Sequence, residues 1–234
     1  MRISVFCIFI FLVTALGMQA QGERDRSYPS KEERTSIAAE QIRSLQNGVL
    51  LVRLSTKQNS IDAMEQKGLS KQADVLRQKV LAENLEIASS FKTSFNFCPV
   101  YFFYSHDSKH VMNGNLDSVT FMNSELKAYE IVEFENNNYF TAEFTLLAQN
   151  TKYREQNIPK GQEDNPNYTR EAKYYGGANM RFHALIIKDQ QFNQLERPFP
   201  FYSRTLNSFF MKKKTEEVVS VLNEKLFAFY NSKR

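Results

Sequence analysis

Six consecutive residues, Ser105-His106-Asp107-Ser108-Lys109-His110, carry the densest set of chemically capable side chains in the chain. They follow an apolar run directly. In a parallel α/β sheet, the loops after strand carboxyl ends are where ligands bind. If residues 107–112 are helical, His106 and His110 lie near one face, and with Asp107 they could begin a zinc site. Zinc wants three or four ligands. The other histidine, His183, is distant in sequence and sits within an apolar stretch. The spacing is not that of H-E-x-x-H, and no glutamate stands in place as a base. His106, Asp107 and His110 are therefore candidate ligands weighed against a plain solvated turn capped by Ser105 or Asp107. The turn is the favoured reading, with no metal and no cofactor expected.

Cys98 is the next candidate. A reactive thiolate wants a neighbouring cation, a helix N-terminus or a partner cysteine. Cys98 sits between Phe97 and Pro99-Val100, with no C-x-x-C, and reads as an inert buried thiol. A serine hydrolase of the α/β type would need G-x-S-x-G, which is absent. G-x-G-x-x-G and G-K-[ST] are absent too, so the common nucleotide-binding loops are not expected. Glu133 with Glu135, and Glu163 with Asp164, read as solvated carboxylates rather than a glycosidase pair. Lys212-Lys213-Lys214 falls short of the four to eight cations usual in a membrane-binding cluster. Asn167-Tyr168-Thr169 matches the N-glycosylation pattern, which matters only in a eukaryotic secretory route.

The elements that must position these residues alternate in period. Thr35 or Ser36 is expected to cap a short helix carrying Ile37, Ala38, Ile42 and Leu45, stopped at Asn47-Gly48. Gly48 to Leu54 is a β-rich apolar run and the first strand. A helix from about Lys57 to Lys67 ends at Gly68, a good C′ residue. Ser70 caps the next. There Ala73, Leu76, Val80, Ile87 and Phe91 recur at helical spacing, widened by Leu81, Leu85 and Ala88. Phe97 to Tyr104 is apolar on both faces and reads as a buried central strand, with Pro99 confining its hydrogen-bonded part to later residues. Strand, long helix, strand predicts a parallel pair.

The second half reads as more antiparallel. Asp117 to Met122 is a short strand candidate. Tyr129 to Phe134 and Tyr139 to Ala148 make a hairpin candidate around Asn136-Asn137-Asn138. Met180 to Lys188 is expected to pair with Gln191 to Glu196. Thr215 opens a helix with Val218, Val219, Leu222, Leu226, Phe229 and Tyr230 on one stripe. Between the strands, residues 149–179 form a long polar stretch with four tyrosines, read as a surface loop.

The first twenty residues give an address. Arg2 precedes an apolar run from Ile3 to Leu16, and Gly17-Met18-Gln19-Ala20-Gln21 follows. That pattern predicts a secretory signal peptide over 1–20, cut after Ala20, with Ala15-Leu16-Gly17 as the alternative. Residues 21–34 are read as a flexible leader. No cysteine stands at the exit, so a lipid anchor is not indicated. Loss of Cys7 leaves Cys98 alone and allows no intramolecular disulfide, so the mature domain must rely on its core. A formal net charge of +4 on 234 residues gives no global case for nucleic acid. Thirteen per cent aromatic residues argue for a packed domain over a disordered chain. No later run reaches membrane-spanning length, and a soluble mature chain in the periplasm or outside the cell is expected.

Gln19-Ala20-Gln21, Gly48-Val-Leu-Leu-Val-Arg-Leu54 with Ser-Thr-Lys57, and Phe97-Cys-Pro-Val-Tyr-Phe-Phe103 together resemble small exported proteins of unknown function from Bacteroidota. That resemblance implies no activity and no site residues. The fold expected over 35–234 is a single α/β domain, a mixed parallel and antiparallel sheet covered by helices. A thioredoxin-like arrangement without redox cysteines follows from element order by analogy alone. Two functions remain in view. One is a non-catalytic module binding an envelope protein or glycan; the other is an unrecognised hydrolase or metal-dependent enzyme using the 105–110 turn.

Overall fold

The structure, a computed structural model, describes residues 29–129, 138–148, 161, 182–206 and 211–233. The signal-peptide segment, residues 21–28 of the leader, and the 149–179 loop apart from Gly161 lie outside the described residues.

Five strands form one mixed sheet in the order β2-β1-β3-β4-β5. They are β1 (Val49–Leu54), β2 (Val100–Tyr104), β3 (Tyr139–Leu146), β4 (His183–Lys188) and β5 (Tyr202–Arg204). Among the described residues the α-helices are α1 (Lys31–Asn47), α2 (Gln58–Gln66), α3 (Ser70–Ser94), α4 (Ser108–Met112) and α5 (Thr215–Asn231). β1 pairs parallel with β2 on one side and parallel with β3 on the other. β4 then runs antiparallel to both β3 and β5. The chain is thus a single α/β domain with a mixed sheet.

Alternation along β1 divides the core. Leu50, Val52 and Leu54 face α1, α3 and α5 together with Phe102, Phe140, Ala142, Leu185 and Ile187. Val49 and Leu51 face the other side, with Phe103 and Tyr139. There Val111, Val119 and Phe121 cover them in place of a long helix. The Tyr139 hydroxyl donates to the Val111 carbonyl at 2.7 Å and ties this cover to the sheet.

Several expectations shift. α1 begins at Lys31, earlier than Thr35: Ser30 accepts from the Glu33 amide while Glu33 accepts from the Ser30 amide, a complete capping box. Part of the charged leader is therefore a helical first turn. Along α3, Leu81 and Leu85 are exposed, and the buried stripe takes in Asn84, whose amide donates to the Ser55 carbonyl at 3.0 Å. β2 is an edge strand, not a central one. It is apolar on both sides because helices cover one face and residues 105–121 the other, and its free edge is bridged by Met122 opposite Phe102. In place of the strand expected over 117–122, the 3₁₀ turn Leu116–Ser118 is followed by two isolated bridges of Met122, to Phe102 and to Ala128. Of the expected 129–134/139–148 hairpin, only Tyr129 and the second arm fall among the described residues, and that arm pairs elsewhere. β3 is flanked by β1 and β4, and the Tyr129 amide donates to Phe121 instead; residues 130–137 lie outside the described residues. Gln191 to Glu196 meets β4 only at the Lys188–Gln194 bridge, and β5 takes the pairing edge.

The entry to β1 is a close approach of backbones. Gly48 precedes the strand, and the Val49 amide donates to the Asn138 carbonyl at 3.2 Å. Asn138 also clamps the end of α1. Its amide donates to the Ser44 carbonyl at 2.9 Å, and its Oδ1 accepts from the Ser44 hydroxyl at 2.6 Å. A β-carbon on Gly48 would collide with the Asn138 carbonyl oxygen and lie 2.9 Å from that of Ser44. Both obstacles are backbone and cannot rotate away. Gly48→Ala is expected to lower stability by about 1–3 kcal/mol, the usual cost of overpacking, read as a lower urea midpoint at unchanged slope.

Candidate functional site

The connection from β1 to β2 runs through α3 on one face. The connection from β2 to β3 runs over the other face and lands on the far side of β1. β1 and β3 therefore flank a topological switch point, and ligands in such sheets bind outside the carboxyl ends of the strands there. Three segments meet at that end: Arg53 to Thr56 of β1 and its exit, Ser105 to Ser108 after β2, and Glu143 of β3.

Glu143 is the centre. Its Oε2 accepts from Arg53 Nη1 at 2.6 Å, and its Oε1 accepts from Lys188 Nζ. The side chains of Glu143 and Lys188 are only 12% and 17% exposed, and that of Arg53 is 32% exposed, so the cluster is half sealed from water. Each charge comes from a different strand. Burial pushes the Glu143 carboxyl up, but Lys188 and Arg53 outweigh it and hold the pKa below the usual carboxylate value. Two cations around one carboxylate leave a net positive charge. Arg53 Nη2 has no hydrogen-bond partner among the described residues, and Lys188 spends one of its three donors.

Hydroxyls line the same end. Arg53 Nε donates to the Ser108 hydroxyl at 2.7 Å, and that hydroxyl donates to the Ser105 carbonyl at 2.6 Å. The Ser105 hydroxyl accepts from the Thr56 amide at 3.2 Å and lies 3.1 Å from the Thr56 hydroxyl. Neither serine is hydrogen-bonded to a histidine, so neither has the adjacent base that nucleophilic catalysis requires.

The candidate ligands His106, Asp107 and His110 are not gathered into a site. Ser105–Asp107 is a 3₁₀ turn leading into α4. The His106 imidazole is exposed, stacks near Tyr104 with centroids 5.8 Å apart, and places Nε2 3.5 Å from Asp107 Oδ1. His110 is exposed on α4, and His183 opens β4 opposite Leu146. Among the described residues, no group of three or more His, Cys, Asp or Glu side chains is gathered closely enough to hold a metal ion. Asp107 occupies the N-cap position of α4 without a side-chain cap bond. Cys98 is buried and unpaired, and burial drives its thiol pKa far above the ordinary range, although the Leu50 backbone opposes this. It is the inert thiol its neighbours suggest.

The 105–108 turn thus belongs to the site through its serines and not its histidines. Arg53, Glu143 and Lys188 escaped the motif reading. Their signal was nonetheless present: each is the one formally charged residue in its strand, VLLVRL, YFTAEFTL and HALIIK. A lone charge in a strand otherwise bound for the core needs a partner.

No protein-family model, curated protein or solved structure matches this chain, so the site is read from its own geometry. Among the described residues no helix is long and apolar enough to cross a membrane.

Removing the charge of Glu143 strands two half-buried cations. Breaking a fully buried pair costs about 3–5 kcal/mol, and water reaches part of this one, so Glu143→Gln is expected to cost about 2 kcal/mol. Lys127→Gln, which removes a pair with Glu125 that is exposed on both sides, should leave stability nearly unchanged. Urea denaturation of the two variants checks the contrast.

Proposed function

We propose that this chain is exported and that its mature domain is a non-catalytic binding module of the cell envelope, taking an envelope protein or glycan as partner. The reading is supported first by the N-terminal pattern of Arg2, the Ile3–Leu16 apolar run and the Gly17–Gln21 exit. It accords with the resemblance to small exported proteins from Bacteroidota. The observation that carries the binding role is the placement of Arg53, Lys188 and the Thr56, Ser105 and Ser108 hydroxyls at the carboxyl end of the β1/β3 switch point. Donors with spare capacity and hydroxyls without a base suit recognition of a polar ligand better than turnover. Arg53, fixed through Nε and Nη1, keeps Nη2 to donate to a ligand oxygen.

Two measurements address the two halves of this reading. Mass analysis of protein recovered from expressing cells is expected to show an N-terminus at Gln21; retention of residues 1–20 contradicts export by cleavage. Hydrogen exchange of the purified protein with and without envelope extract is expected to show slowed exchange at Thr56 and 105–108, lost in Arg53→Met. If no extract fraction slows these amides, or the variant is protected equally, the binding site lies elsewhere and this placement fails.

A further inference from the structure

The switch-point site carries a charge imbalance, and the imbalance selects its ligand. Glu143 pairs with two cations, Arg53 from β1 and Lys188 from β4. Burial raises the Glu143 pKa, but Lys188 and Arg53 outweigh it, and the carboxyl stays ionised. One negative charge thus meets two positive ones. Among the described residues, neither cation has a second carboxylate within ion-pair distance. The acidic neighbours in sequence are engaged elsewhere. Asp107, beside Ser108, faces His106 at 3.5 Å. Asp189, beside Lys188, accepts from the Gln191 and Asn193 amides at 2.9 and 2.8 Å.

Burial gives the surplus charge weight. The Lys188 side chain is 17% exposed and that of Arg53 is 32% exposed, so water screens them less than it screens a surface cation. A neutral ligand would leave this half-buried charge uncompensated, whereas an anion compensates it. The size of the surplus also sets the valence. A carboxylate, with one charge, brings the site to neutrality. A phosphate group carries close to two charges at neutral pH and would face Glu143 with negative charge in excess.

The donors beside the surplus charge come from hydroxyls as well as from the cations. Arg53 is held through Nε by Ser108 at 2.7 Å and through Nη1 by Glu143 at 2.6 Å, which leaves Nη2. Ser108 gives its own proton to the Ser105 carbonyl at 2.6 Å. The Ser105 and Thr56 hydroxyls lie 3.1 Å apart and use one proton between them, so the other is free to donate. The side chains that meet here are charged or hydroxyl-bearing. They lack the aromatic and apolar anchors that carry protein–protein interfaces. A sugar ring with one carboxylate and several hydroxyls presents the matching groups.

We propose that the β1/β3 switch-point site recognises the carboxylate of a uronic acid unit in an acidic glycan. Arg53 Nη2 donates to that carboxylate, Lys188 supplies the surplus charge, and the Thr56–Ser105 pair donates to a ring hydroxyl. The inference rests on the binding role proposed above for this site and narrows its ligand from a glycan or protein to an acidic glycan.

Amide NMR spectra of the protein recovered from expressing cells test it. The probes are sodium glucuronate, glucose, sodium acetate and inorganic phosphate at matched ionic strength. Glucuronate is expected to shift the Thr56 and 105–108 amides saturably. Glucose lacks the charge and acetate lacks the ring hydroxyls, so each should bind at least about tenfold more weakly. Phosphate should also bind more weakly than glucuronate. Two opposite charge changes then read the imbalance directly. Lys188→Gln removes the surplus and should weaken glucuronate at least about tenfold. Glu143→Gln doubles the surplus and should strengthen phosphate severalfold. Amide dispersion verifies the fold of each variant, and the four probes decide on the unaltered protein even if a variant does not fold. Absence of a saturable glucuronate shift, equal binding of glucose, or tighter binding of phosphate than of glucuronate overturns the proposal. Acetate binding as tightly as glucuronate overturns it too, because a bare carboxylate, as on an acidic peptide, then suffices. If envelope extract slows exchange at these amides while glucuronate leaves them unmoved, this inference fails and the binding role stands. If neither acts, the binding role fails with it.

Discussion

The carboxylate of Glu143, held between Arg53 and Lys188, is the contact on which the sheet's arrangement turns. It joins three strands, each through its one formally charged residue. β1 and β3 are paired over only four residues, Val49 to Val52 against Tyr139 to Ala142. The ion pair from Arg53 to Glu143 extends that short parallel ladder by one position. A slip of one residue would turn Arg53 toward the apolar cluster beneath α1, α3 and α5 and bring Leu54 out. A charge in that core without a partner costs more than a short parallel pairing returns. The cluster therefore acts on register first, and its chemistry follows from where the correct register leaves it.

That place is set by the two unlike faces of the sheet. One carries three long helices and most of the core. The other is closed by a short helix, a 3₁₀ turn and the side chains of Val111, Val119 and Phe121. The chain leaves β1 over the first face and leaves β2 over the second, and the reversal opens the switch point between β1 and β3. Asn84 fixes the backbone after β1, and the Ser105–Thr56 contact joins it to the turn after β2. The polar side chains at this end are thus oriented by a network whose members come from the strands, from α3, from the β1 exit and from the turn into α4.

The sequence made local structure legible and long-range pairing much less so. The β1-α3-β2 unit and α5 were readable because period 2 and period 3.6 are local signals. The parallel placement of β3 beside β1 was not, since the partner lies some ninety residues away, and the local pattern of 129–148 imitates a hairpin. β2 looked central because both its faces are apolar, yet an edge strand covered on both sides carries the same pattern. The Ser105–His110 turn was found at the right end of the sheet. Its imidazoles drew attention, whereas the hydrogen-bonded members are Ser105 and Ser108. Arg53, Glu143 and Lys188 were legible only as lone charges in apolar strands.

Direct titration of the Glu143 carboxyl by carbon-detected NMR tests this account most closely. A midpoint below the ordinary value of about 4.5 is expected, moving upward in Arg53→Met. Because the folded value is the lower one, the cluster stabilises the fold fully above the unfolded carboxyl's pKa, and that contribution is lost as pH falls through the folded one. A Glu143 that titrates at or above the ordinary value, or whose midpoint ignores the loss of Arg53, would contradict a carboxylate held ionised between two strand-borne cations.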